Sequence, residues 1–304
     1  MNRVTTSSSA RTMMANINAK ARTLATAQER IASGKQVQKP SDGPAQVLSA
    51  LDYRSQLRRN EQLGRNALDA RSWLDSADSA LTHTVERLSQ ARTLVIGGVN
   101  GSADPQSRAA YAAEIRAIRE ELLQTANTQY LGRPIFSGTE DVTTAYADDG
   151  TYLGNAGHVE RNVAPGVSIR VNRTGPEVYG AAIDISDPSN DPLDGNVFQV
   201  LEAIAGALES GDLDTAQRGI TAIIDSTDRV EQAQVEMGAR SKQIEEIGFR
   251  NAEIDIELKF ALAEVEDVDV AEALIEVRVQ EMAYQAALQV TSKVIQPTLL
   301  DFLR

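Results

Sequence analysis

The chain contains no cysteine. That excludes disulfides, thiolate metal sites and a cysteine nucleophile. Histidine occurs twice and tryptophan once, which leaves almost no material for imidazole catalysis or for zinc, whose sites cluster three or four ligands. Aromatic residues make up 4% while apolar residues reach 42%. The difference is mostly alanine, leucine, valine and isoleucine, a mixture suited to close-packed helices. No apolar run approaches the roughly 18–20 residues of a membrane span. Met1 to Ala10 is polar and lacks an apolar segment, so no cleaved secretory signal is expected. Positive charge is short as well: 30 Lys+Arg against 43 Asp+Glu in 304 residues leave a net charge of −13. This balance argues against nucleic-acid binding, which wants a basic face.

Helical periodicity dominates both ends. Ile17, Ala21, Leu24, Gln28 and Ile31 step by four and three near the start. Gly34 and the turn-rich Lys39-Pro40-Ser41-Asp42-Gly43-Pro44 interrupt the pattern, with Asp42 or Ser41 placed to cap a second helix and Pro44 tolerated in its first turn. Ala67, Leu74, Leu81, Leu88 and Val95 then recur every seven residues, and Ala70, Ala77, Thr84 and Ala91 follow three behind. This is a heptad seam, on a helix expected from about Ala45 to Ile96. Asp104-Pro105 reads as the cap and first turn of a third helix, lined by Tyr111, Ile115, Ile118 and Leu122. Helix returns at Val197–Leu208, stops at Gly211, and restarts after Asp212.

The longest stripe runs through Val230, Ala233, Met237, Arg240, Ile244, Ile247, Asn251, Ile254, Leu258, Ala261, Val265 and Val268. Arg240 and Asn251 are polar residues on that seam, a device that fixes register. Asp269 with Glu272 opens a last helix, lined by Leu274, Val277, Tyr284, Leu288 and Ile295. Between the helical halves, Gly, Pro, Asp and Asn become frequent and Val167-Ser168-Ile169-Arg170-Val171 alternates, so a small β-rich insert is expected.

Charge is uneven. Residues 1–39 hold seven bases and one acid, while 231–281 hold fourteen acids and five bases. The two segments attract each other, or a neighbouring copy. No catalytic constellation is present: His83 sits off the heptad seam, His158 has no second ligand nearby, and Asp148-Asp149-Gly150 lacks the alternating ligands of a calcium loop. Asn100-Gly101-Ser102 and Asn172-Arg173-Thr174 match the glycosylation sequon. An enzyme or ligand-binding module on the insert would need converging polar groups in residues 139–195.

The expected fold is mainly α: a long antiparallel helical bundle or coiled coil built from N- and C-terminal segments, with the β-rich insert in the middle. The expected division is 1–40 and 269–304 for the paired terminal helices, 41–138 and 196–268 for the bundle, and 139–195 for the insert. The termini should meet. One helical face cannot offset the entropy of ordering such a segment, so the ends should order fully only against partners.

Several blocks then point to a family. Ala27-Gln28-Glu29-Arg30-Ile31-Ala32-Ser33-Gly34-Lys35 leads into Lys39-Pro40-Ser41-Asp42-Gly43-Pro44-Ala45. Asn66-Ala67-Leu68-Asp69-Ala70 follows, and then Tyr130-Leu131-Gly132-Arg133-Pro134-Ile135-Phe136-Ser137-Gly138-Thr139. Gln285-Ala286-Ala287-Leu288-Gln289 and Thr298-Leu299-Leu300-Asp301-Phe302-Leu303 close the chain. In this order they resemble the flagellin superfamily, most closely its members at the hook–filament junction; the filament subunits, with their different R-I-N-x-A-x-D-D-A-A-G block, are the near alternative. The resemblance implies a structural, non-enzymatic protein without cofactor or metal. It implies export through the flagellar type III apparatus and a place in the extracellular flagellum. Its partners would be further copies of itself, a neighbouring hook-associated protein, flagellin, and a cytoplasmic chaperone for the C-terminal helix, with no nucleic acid and no membrane span. Ile17, Leu24, Ile31, Leu274, Val277, Tyr284, Leu288, Ile295, Leu299 and Phe302 are the expected assembly and chaperone contacts.

Overall fold

The computed structural model describes residues 6–41, 43–100 and 103–295. Seven α-helices and two short hairpins follow in order: α1 (Thr6–Ser33), α2 (Pro44–Gly98), α3 (Pro105–Ala126), β1 (Gln129–Tyr130), β2 (Arg133–Pro134), β3 (Glu160–Ala164), β4 (Val167–Arg170), α4 (Gly175–Tyr179), α5 (Val197–Ser210), α6 (Leu213–Glu266) and α7 (Val270–Ile295). The chain falls into two compact units, one of Asn60–Glu253 and one of the residues before Asn60 together with those from Ile254 on.

Local chemistry sets the helix ends. α1 stops at Gly34, whose φ of +71° lies in the left-handed region where a side chain is costly. Asp104 caps α3, its carboxylate accepting from the Ser107 amide at 2.6 Å. Asn196 and Gln199 close a reciprocal capping box on α5, and Gly211, at φ +81°, ends it. Asp212 and Asp269 cap α6 and α7, accepting from Thr215 and Glu272 amides. Asp42, one of the two residues expected to cap α2, lies outside the described residues; Pro44 opens that helix.

In the Asn60–Glu253 unit the heptad reading holds along α2. Ala67, Ala70, Leu74, Ala77, Leu81, Thr84, Leu88, Ala91 and Val95 are all buried, in one core with α3, α5 and α6. Seam polar residues find partners there. Buried Asn251 donates to the Val163 carbonyl at 2.9 Å, and its own carbonyl accepts from Asn60 at 2.7 Å. Arg240 donates to the Asn172 carbonyl at 3.4 Å. Each fixes the register of α6 against a neighbour. Beyond Asn251 the seam is shallower: Ile254, Leu258, Ala261 and Val265 are half-buried. We therefore expect Leu81→Ala to cost about 2–5 kcal/mol, Leu258→Ala about 1 kcal/mol, and exposed Glu257→Ala no more than about 0.5 kcal/mol, read as thermal-unfolding shifts. Equal losses at 81 and 258 would mean the seam is as deep at both.

The expected β content is small and confined to the two antiparallel hairpins. Most of the insert is irregular, closed by buried or half-buried asparagines that stand in for ladder hydrogen bonds. Asn127 exchanges two hydrogen bonds with the backbone of Tyr146 at 2.8 and 2.9 Å. Asn172 accepts from the Val159 amide at 2.8 Å and donates to Gly157 at 3.0 Å; fully buried, this sequon is closed to glycosylation. Few as the aromatics are, Phe136, Tyr146, Tyr152, Tyr179 and Phe198 gather into one centre with ring centroids 5.0–5.7 Å apart. The Phe-Ser-Gly-Thr turn feeds it. Phe136 is fully buried, the Ser137 hydroxyl donates to Pro134, and Gly138, at φ +73°, sits where a Cβ would collide with the Asn155 carbonyl. Trp73 packs edge-on to Tyr130, with the Arg161 guanidinium 5.8 Å from its ring centre. Asp148-Asp149-Gly150 is a turn, in which Asp149 accepts from the Thr151 amide at 2.8 Å.

Candidate assembly interface

The terminal unit brings the first and last described helices together. α1 packs along α7. Their outer connections are tied to each other: the Gln36 amide donates to the Glu266 carbonyl at 2.8 Å, the Val268 amide donates to Gly34 at 3.0 Å, and Lys35 bridges Asp267 as an antiparallel pair. This gives the Ser33-Gly34-Lys35 motif its physical sense. Gly34 turns the chain, and Lys35 reaches the Glu266 carboxylate at 2.9 Å, where Arg54 also arrives at 2.6 Å.

Glu266 is 6% exposed. Burial pushes its carboxyl up, but the hydrogen bonds from Lys35 and Arg54 outweigh burial and hold it below the usual carboxylate range. A depressed folded pKa means stability that is present above the ordinary carboxylate range and lost as pH falls through the folded value. Acidification should therefore release the Gln36 and Val268 amides to hydrogen exchange. Glu266→Gln should remove that pH dependence and loosen the tie by about 1–3 kcal/mol. Unchanged exchange at those two amides would show that the carboxylate does not hold the turn.

The basic start and acidic late segment do meet here: besides Lys35 with Glu266, Arg30 lies 3.7 Å from Glu276. The Arg30–Glu276 pair is partly solvent-facing, so it orients more than it stabilises.

The expected contact residues divide. Val277 is buried, and Ile17, Leu24, Ile31 and Tyr284 are half-buried in the α1–α7 pair. Leu274 and Leu288 are not in that seam; they are 52% and 42% exposed. The side chain of Ile295, and Leu299 and Phe302 altogether, lie outside the described residues. On α1 the seam passes through Ala27, 3% exposed, and Gln28 is outside it. On α7 it passes through Ala273, Val277, Gln280, Tyr284, Ala287 and Thr291. The further seam members Ala27, Ala273, Gln280, Ala287 and Thr291 are small or polar, so no large apolar residue marks them in the sequence. Gln280 holds its amide oxygen buried with no hydrogen-bond partner, the kind of seam group that weakens a pair while setting register.

A second stripe on α7 has no cover. Ile275, Val279, Met282, Ala286 and Val290 step by four, three, four and four; at 100° per residue they lie across the helix from the α1 seam. Ile275, Met282 and Val290 are 66%, 62% and 58% exposed. Such a contiguous apolar strip marks an interaction surface. Among the described residues there is no group of three or more His, Cys, Asp or Glu able to hold a metal ion, and no helix is long and apolar enough to cross a membrane.

Several known proteins are similar to this chain. Residues 4–141 match the family model of the bacterial flagellin N-terminal helical region. Flagellar hook-associated protein 3 of Escherichia coli (strain K12) is 23% identical over 273 residues, covering 85% of this chain and 86% of that protein. The flagellin of Bacillus subtilis (strain 168) is 24% identical over 263 residues, covering 85% of each. The crystal structure of the flagellar junction protein FlgL from Legionella pneumophila superposes with a TM-score of 0.57 at 17% identity, over 72% of this chain and 99% of that one.

Proposed function

We propose that this chain, related to the flagellin superfamily through its N-terminal helical region, is a structural subunit of the bacterial flagellum that joins hook to filament. The similarity to hook-associated protein 3 along most of both chains supports a place in the extracellular flagellum and assembly with other flagellar components. The observation that carries the mechanism is the uncovered stripe of α7. A helix paired on one side through small residues, and apolar on the other, is built to be enclosed by further helices. The subunit's role is then mechanical: the terminal helices pack with those of neighbouring copies, and the Asn60–Glu253 unit enters the assembly already folded.

The finer reading follows from the same surface. Before assembly an exposed apolar helix is an aggregation hazard, so a cytoplasmic chaperone covers the C-terminal helix until export, which proceeds without a cleaved signal. The immediate neighbours are a second hook-associated protein on one side and flagellin on the other. The terminal segments 1–40 and 269–304 serve as the inner layer, and 139–195 faces outward. Membership of the filament itself is the second reading, favoured by the comparable match to a flagellin.

A strain lacking the chain separates the two. Hooks without filaments, with filament protein free in the medium, are the expected result by electron microscopy. A strain with neither attached nor secreted filament protein would favour the filament subunit, and normal filaments would refute both.

A further inference from the structure

The β-rich insert and α6 border a cleft of about 410 Å³, a volume that takes a small ligand. It lies wholly within the Asn60–Glu253 unit. One wall is the turn at Asp191–Gly195, the other the stretch of α6 from Arg218 to Arg229. The first wall is held by its own hydrogen bonds. Asp191 accepts from the Leu193 amide at 3.1 Å, and the Asn196–Gln199 capping box follows directly. Arg218 is committed, its guanidinium bound to the Asp191 carboxylate. Arg229 is not: it forms no ion pair among the described residues, although Asp225 stands one turn before it. Its guanidinium lies against Gly180, where a Cβ would stand 2.6 Å from Nη1, and that Nη1 is buried with no hydrogen-bond partner. A half-buried charge without a counter-ion is costly. With Nη1 walled off, the Nε–Nη2 edge is the one left to a ligand. Asp194 and Asp225, both exposed and both without an ion pair among the described residues, line the same cleft. So do half-buried Leu193 and Ala222.

We propose that this cleft binds a free α-amino acid with an aliphatic side chain. Its α-carboxylate sits on Arg229, its α-ammonium between Asp194 and Asp225, and its side chain on Leu193 and Ala222. Charge selects the class. An unpaired guanidinium calls for an anion, and its planar edge matches the two oxygens of a carboxylate. The two unpaired aspartates repel a phosphate or a dicarboxylate. They favour a ligand with a cation beside its carboxylate, and an α-amino acid carries both on one carbon. With Arg218 held by Asp191, no second free base is left in the cleft for an acidic side chain. The insert thus supplies converging polar groups only together with α6. The site goes beyond the junction reading and does not depend on it.

Calorimetric titration of the full-length protein with L-leucine tests this, beside two analogues that each lack one charge. L-Leucine should bind at one site per chain and raise the melting temperature as its concentration rises. N-acetyl-L-leucine keeps the carboxylate and L-leucinamide keeps the ammonium; each should bind about tenfold or more weakly than L-leucine. Arg229→Gln, and separately Asp194→Asn with Asp225→Asn, should weaken L-leucine binding about tenfold or more, with the melting temperature of the free protein unchanged. Should Arg229→Gln lower that temperature, Arg229→Lys keeps the charge and loses the planar fork, and should still weaken binding about tenfold. Asp228→Asn removes an exposed acid that neighbours Arg229 but does not line the cleft, and should leave the affinity within about twofold. No saturable binding of L-leucine at millimolar concentration, an analogue that binds as well as L-leucine, full affinity in the Arg229 variants or the aspartate pair, or an Asp228→Asn loss as large as theirs would each overturn the proposal. None of these results touches the junction reading, which the strain lacking the chain tests by itself.

Discussion

A chain ending at Val268 should retain the principal melting transition of wild type and yet attach no filaments. Both halves of this result come from where the apolar contacts lie. The Asn60–Glu253 unit holds the whole continuous core, from Ala67 to Ile244, and none of it is contributed by α7. Removing residues 269–304 takes no fully buried side chain from that core, so the transition should move by no more than a few degrees. What goes is the partner of α1 and the exposed stripe of Ile275, Val279, Met282 and Val290. Subunit association loses that apolar strip, whose aliphatic side chains are worth about 1.5–3 kcal/mol each when fully covered, and every 1.4 kcal/mol is about tenfold in affinity. Calorimetry of the purified truncation and electron microscopy of cells producing it read the two halves separately. Normal filaments would make the terminal helix dispensable. Collapse of the main transition would place α7 in the monomer core.

Much of this architecture is legible in the sequence because it is written in local period. All nine heptad residues of α2 from Ala67 to Val95 are buried, and the stops at Gly34, Gly98 and Gly211 fall where glycine or a cap ends the pattern. Local period carries no signal where the deciding contact is distant. Glu266 is one acid among fourteen in its segment; nothing in its neighbourhood marks it as the residue that Lys35 and Arg54 share. The aromatic centre draws Phe136, Tyr146, Tyr179 and Phe198 from points along 63 residues of chain with no common period. On α7 the expected line is half right: Val277 and Tyr284 lie in the α1 seam and the two leucines do not. Leu274 and Leu288 read as seam, while the seam runs through Ala273, Gln280 and Ala287, because close approach of two helices selects small side chains over large ones. For the candidate interface, then, periodicity locates the helices but not the face that each keeps for its own chain.

That small-residue seam sets the stability of the ends, and hydrogen exchange on the purified monomer should show it. α1 and α7 span 28 and 26 residues, yet among their described side chains only Ala27, Ala273 and Val277 are buried. Two alanines and a valine return a few kcal/mol at most, against about 1–2 kcal/mol of backbone entropy for every residue held helical. The pair also carries the unpartnered Gln280 oxygen. Opening of the pair should therefore be a local event of low free energy, independent of the core, while amides around Leu81, Leu88 and Leu201 exchange only through global unfolding. Domains of this kind unfold globally at about 5–15 kcal/mol, so the two classes of amide should differ in exchange rate by about a thousandfold or more. Gln280→Leu should narrow the gap by stabilising the pair, since an apolar residue replaces an unsatisfied one in the seam. Enclosure in the assembled flagellum should slow exchange along residues 13–33 and 270–292 further, because the outer stripe of α7 is then covered. Equal protection of α1, α7 and the core in a verified monomer would mean that the ends need no partner, and the uncovered stripe would lose its part in driving assembly.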